Sequence, residues 1–107
     1  MSTIKYDKLV RDRIPEIIRA SGKQCRAEVL EQREYLCRLD EKLNEELAEY
    51  QESKSIEELA DLLEVMQAVA KARGWSWEMV EQVRREKAEK RGGFEERLLL
   101  REVFDGQ

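Results

Sequence analysis

The chain has 107 residues, with 20 Lys and Arg against 24 Asp and Glu, a net charge of −4 and no histidine. That length predicts a single domain, 1–107, with a modest core. The missing imidazole excludes Ser-His-Asp catalysis, His-built zinc sites and a His general base, and an acidic balance with no Lys/Arg run gives no nucleic-acid footprint.

Apolar and charged residues each make up 41% of the chain and interleave at short spacing, while one proline and five glycines leave long stretches unbroken. This pattern predicts an all-α fold with solvated helix faces rather than disorder. Cys25 and Cys37 lack C-x-x-C spacing, and neither a signal-peptide pattern nor an apolar run near membrane length is present. The expected setting is the reducing cytoplasm, without a membrane partner.

In chain order, residues 1–14 mix charges with Ile4, Leu9, Val10 and Ile14 and predict an arm with at most one helical turn. Pro15 suits the first position of a helix and Gly22 its stop, so PEIIRAS is a short helix. QCRAEVL alternates Cys25, Ala27 and Val29 against polar neighbours, which predicts a short strand at 24–30. From about Glu31 the period changes: Leu36, Leu39, Leu43, Leu47 and Tyr50 mark a long amphipathic helix to about Glu52. Ser55 opens the next, whose main stripe is Ile56, Leu59, Leu63, Met66 and Ala70, widened by Leu62, Val65 and Val69. Gly74 ends it. So short a connection makes the two helices an antiparallel hairpin. Ser76 caps a further helix carrying Trp77, Val80 and Val83, which ends at Gly92-Gly93. RLLLREVF is an apolar tail with a second short strand expected at 98–104, in position to pair with the first.

Within the hairpin, Glu46-Leu47-Ala48-Glu49 and Glu58-Leu59-Ala60-Asp61 set two acids three residues apart on each helix, hence on one side. At roughly 100° per residue, Glu46 falls within about 20° of Leu39, and Glu58 lies beside Leu62 and Val69, so both pairs border the apolar seam. Four carboxylates converging there must either bind protons or share a cation. Oxygen ligands alone favour Mg²⁺, with Mn²⁺ as an alternative, and such ions handle phosphates. A local alternative exists for Glu58, because Ser55-Ile56-Glu57-Glu58 is also a capping box.

E-x-x-E, a short turn and E-x-x-D on the next helix resemble the MazG-like all-α nucleoside-triphosphate pyrophosphohydrolases. YDKLVRDRIPEII near the start and EKAEKRGGF near the end resemble a small house-cleaning branch of that superfamily. The resemblance covers nearly the whole chain, with one compact copy of a unit that larger members double or lengthen. It implies Mg²⁺-dependent hydrolysis of a nucleoside triphosphate to the monophosphate and pyrophosphate. Glu46, Glu49, Glu58 and Asp61 are the implied metal-binding and catalytic residues. Glu45 is a candidate for a supporting or water-orienting role. Lys87, Lys90 and Arg91, on one helix face, are the implied phosphate contacts, joined by Lys8 and Arg11; each is equally readable as a surface base paired with a nearby Glu. The family builds its site in dimers or higher assemblies, so a homo-oligomer completing the bundle is expected. Trp75 and Trp77 read as core residues, or as platforms for a base. A phosphoribosyl-ATP pyrophosphohydrolase is the alternative with the same chemistry. A non-catalytic helical module that binds a nucleotide or a partner, and a purely structural helical oligomer, are the alternatives of other classes.

Overall fold

A computed structural model of the chain describes residues 2–106. Four helices follow one another: α1 (Ile14–Ala20), α2 (Gln32–Ser53), α3 (Ile56–Ala72) and α4 (Trp77–Arg91). Each begins and ends where local chemistry directs. Pro15 opens α1. Glu31, Ser55 and Ser76 cap α2, α3 and α4 by accepting from the backbone N–H three residues on, which satisfies donors that a helix start leaves free. Gly74, at φ 91°, ends α3, with the Trp75 N–H returning to the Ala70 carbonyl at 2.8 Å, the closing bond of a Schellman turn.

The α2–α3 hairpin is the centre of the fold, and α4 meets α3 over a much smaller area. Lys54 reverses the chain in the left-handed region, at φ 56° and ψ 27°, and its N–H bonds the Tyr50 carbonyl at 2.7 Å. At the open end of the hairpin the Gln32 amide donates to the Ala72 carbonyl and Arg73 pairs with Asp40. Leu39 of α2 and Ala70 of α3 are the buried apolar side chains among the described residues. Among those residues α1 packs on none of the other helices.

Two expectations are corrected. No strand forms among the described residues. In 24–30 and 98–104 no backbone group bonds another backbone group, and a strand needs a ladder partner. Val29, Leu98, Leu99, Leu100, Val103 and Phe104 are accordingly exposed. The second correction concerns α3. Ile56, Leu59, Leu63 and Met66 of its main stripe lie open to solvent, and Ile56 keeps 77% of its surface. Leu62, Val65 and Val69, expected only to widen the stripe, are the half-buried ones.

The molecule measures 73 × 31 × 22 Å with a radius of gyration of 19.4 Å, against about 13 Å for a compact chain of this length. No helix among the described residues is long and apolar enough to cross a membrane.

Because Leu39 is nearly the whole of the buried apolar seam, Leu39→Ala is expected to destabilise the fold by about 2–5 kcal/mol. Glu28→Ala, at an exposed position, should stay within about 0.5 kcal/mol. Urea midpoints at equal protein concentration check both.

Candidate metal and phosphate site

The two acid-bearing helix segments meet beside the hairpin turn. Glu46 sits in α2 two turns before its end, and Glu58 and Asp61 occupy the first turns of α3. One carboxylate oxygen from each of the three lies within 4.8 Å of the others. Glu46 is the buried charged residue of the described chain, at 9% exposure, and the other two are half-buried.

Glu49, expected as the fourth ligand, is exposed and stands outside this triad. A separation of three residues leaves about 60° between two side chains on a helix; with Glu46 turned into the seam, Glu49 is carried to its rim. Its charge still reaches the site, being the strongest of the neighbouring charges acting on Glu58.

Glu58 does not close a capping box. The Ser55 hydroxyl accepts from the Glu58 N–H, but the Ser55 N–H donates to the Ser53 hydroxyl rather than to the Glu58 carboxylate. That carboxylate is left to the triad. Desolvation, then the charges of Glu49, Asp61, Glu46 and Glu57, push its pKa above the ordinary glutamate value.

Two of the three acids of the triad have a basic partner. Arg11 donates to Asp61 Oδ1 at 2.6 Å, and Lys42 approaches Glu46 Oε1 at 3.5 Å. Lys42 also donates to Glu45 at 3.2 Å, where Lys8 arrives at 3.0 Å. Partial burial raises the Glu45 carboxyl, but hydrogen bonds from Lys8 and Lys42, with their charges, outweigh it and hold the group below its ordinary value. The same hydrogen bond to Glu45, with its charge, lifts Lys8 above the ordinary lysine value. Glu45 is thus the anchor of two lysines.

Of the bases implied by resemblance, Arg11 reaches the triad at Asp61, and Lys8 reaches Glu45 beside it. Lys87, Lys90 and Arg91 stand exposed on the last turns of α4. They make no ion pair or hydrogen bond with the acids of α2 or α3 among the described residues. Trp75 and Trp77 follow the far end of α3, which lies about 16 Å along its axis from Asp61. Trp77 is half-buried and Trp75 exposed. A concavity of about 510 Å³ along α4 puts Trp77 and Arg85 among Glu78, Glu81, Glu86 and Glu89. So many carboxylates make it unsuited to a polyphosphate.

Sequence reasoning missed Lys42, although its i,i+4 relation to Glu46 was readable. The pairing of Arg11 with Asp61 spans 50 positions and leaves no local signal.

No family model matches the chain, and no solved structure matches it. It is similar to an uncharacterized protein of Mycolicibacterium smegmatis, 57% identical over 42 residues that make up 39% of this chain and 43% of that protein. The match therefore spans less than half of the relative's length.

A carboxyl held above its ordinary pKa opposes folding once it ionises. The loss of stability begins as pH rises past the ordinary glutamate value and is complete above the raised one. In chelator, Glu58→Gln should therefore melt higher than the wild type at neutral pH, and the advantage should vanish as pH falls below the ordinary glutamate range. Paired thermal melts across pH check the sign.

Proposed function

We propose that this chain is a Mg²⁺-dependent pyrophosphohydrolase that converts a nucleoside triphosphate and water to the nucleoside monophosphate and pyrophosphate. The observation that carries the reading is the convergence of Glu46, Glu58 and Asp61 from two adjacent helices, with Glu58 held above its ordinary pKa by its acidic neighbours. Such a donor set is all oxygen and destabilised by its own charge, so it fits a hard divalent cation, Mg²⁺ or Mn²⁺. Glu46, Glu58 and Asp61 would hold the ion, with Glu49 at the rim. When bound, Mg²⁺ supplies an acidified water and neutralises charge on the departing pyrophosphate.

The chain's own residues do the rest. Lys8 and Arg11 bring positive charge to the edge of the acids, where they bind phosphate oxygens, Arg11 in the fork geometry that suits them. Lys42, with its side chain at 18% exposure, steadies Glu45 and Glu46. No imidazole exists to act as a base. Lys87, Lys90 and Arg91 enter this reading through the resemblance alone. Phosphoribosyl-ATP as the substrate would use the same chemistry. A binding module without turnover is the reading of a different class, and there a nucleotide would raise the melting temperature without being cleaved.

The working unit in this proposal is a homodimer or higher oligomer. The 12.7 kDa chain exposes 10465 Å², against about 6,200 Å² for a folded monomer of that mass. The excess, about 4,000 Å² per chain, is more than the roughly 1,000–2,500 Å² per partner that an obligate interface buries. The exposed face of α3, with Leu59 and Leu63 at its middle, is the surface a second copy would cover.

A panel of ribo- and deoxynucleoside triphosphates together with phosphoribosyl-ATP is expected to yield pyrophosphate with Mg²⁺ and none in chelator. Glu46→Gln and Asp61→Asn should each lower the rate by more than the roughly 10- to 100-fold that loss of an outer supporting group costs a metal site. Unchanged rates in both would refute the ligand assignment. In sedimentation, the wild type should run as a dimer or larger and Leu59→Glu/Leu63→Glu as a smaller species; a wild-type monomer at tens of micromolar would refute the assembly.

A further inference from the structure

Among the described residues the N-terminal arm has no helix before Ile14, yet it is tied across the hairpin at three points. Arg38 of α2 donates to the Asp7 carbonyl at 3.0 Å, Lys8 donates to Glu45 of α2 at 3.0 Å, and Arg11 donates to Asp61 of α3 at 2.6 Å. Asp7 takes the left-handed conformation, φ 45°, as the chain is led from the first tie to the next. The first two ties lie outside the carboxylate triad, and the third lies on it.

This division has a consequence. Asp61 carries one negative charge, and a guanidinium and a divalent cation compete for it. The Arg11–Asp61 pair is weakly held: the arginine side chain keeps 58% of its surface and the aspartate 41%, and ion pairs so exposed contribute little. A divalent ion drawn by three carboxylates outcompetes it. Arg11 would then stay close, because Asp7 and Lys8 hold the arm to α2 by groups that the ion does not use.

Resting on the metal reading above, we propose that Arg11 is the resident counter-ion of the triad: it covers Asp61 until a divalent cation replaces it, and the released guanidinium then binds the phosphate of the incoming ligand. One residue thereby makes the empty acidic centre tolerable and couples metal entry to the appearance of an anion-binding group. Arg11 is a binding and positioning residue in two successive settings.

The exchange can be read on the wild-type protein with trypsin, which must draw a lysine or arginine side chain into its own pocket and so discriminates a paired base from a free one. With Mn²⁺ added, cleavage after Arg11 should accelerate. Cleavage after Lys8, whose partner is outside the triad, and after Lys5, which has no ion-pair partner among the described residues, should not. In Asp61→Asn, cleavage after Arg11 should be fast with or without Mn²⁺. Calorimetry gives an independent reading: Arg11→Gln should bind Mn²⁺ more tightly by about two- to fivefold, the scale of an exposed ion pair, and in saturating Mn²⁺ should bind inorganic pyrophosphate more weakly. Effects of opposite sign on the two ligands are not produced by a general loss of structure. If the wild type binds Mn²⁺ but cleavage after Arg11 does not change, or all three sites accelerate together, the exchange is overturned and the metal reading stands. If the wild type binds no Mn²⁺, the metal reading falls and this inference with it.

Discussion

Three carboxylates within 4.8 Å of one another repel, and the hairpin holds them together against that force. Antiparallel packing of α2 on α3 brings the late turns of one helix beside the early turns of the other. Glu46 is buried there, while Glu58 and Asp61 keep part of their surface in water. The repulsion is met in three ways: Lys42 beside Glu46, Arg11 on Asp61, and a raised affinity for protons at Glu58. Each lowers the net negative charge that the three carboxylates would otherwise concentrate there.

Ser55 caps α3 without enlisting the Glu58 side chain, because Ser53 takes the reciprocal role. Glu45, next to the triad in sequence, faces a different set of partners and ties the arm through Lys8 to the helix that also carries Lys42. Acids that look interchangeable in the sequence divide into a centre and an anchor, and the division follows from their angular positions on α2.

Helix boundaries were legible because they are written locally: Pro15, Ser55, Gly74 and Ser76 act within a turn of where they stand. The strands at 24–30 and 98–104 were misread because alternation is only half of a strand, and the other half is a distant backbone. The outward stripe of α3 was misread for a related reason. Periodicity locates an apolar face, but which part of a broad face meets the neighbouring helix depends on that neighbour. Three of the four acids came together as the two acid motifs suggest. The fourth, Glu49, could not be separated from Glu46 by pattern, since both border the same stripe. Arg11 was visible as a base near the start of the chain, but its partner on α3 is settled only by folding.

The reversal at Lys54 and Ser55 joins α2 to α3 with no slack. Connections between helices are ordinarily where a chain absorbs length changes. Here one added residue inside the start of α3 would swing Glu58 and Asp61 by about 100° and shift them by about 1.5 Å relative to Glu46. Homologous lineages that keep the acidic centre should therefore vary in length between α1 and α2, at 21–31, while conserving the spacing of this corner, so its length is a more telling signature than the identity of any residue in it.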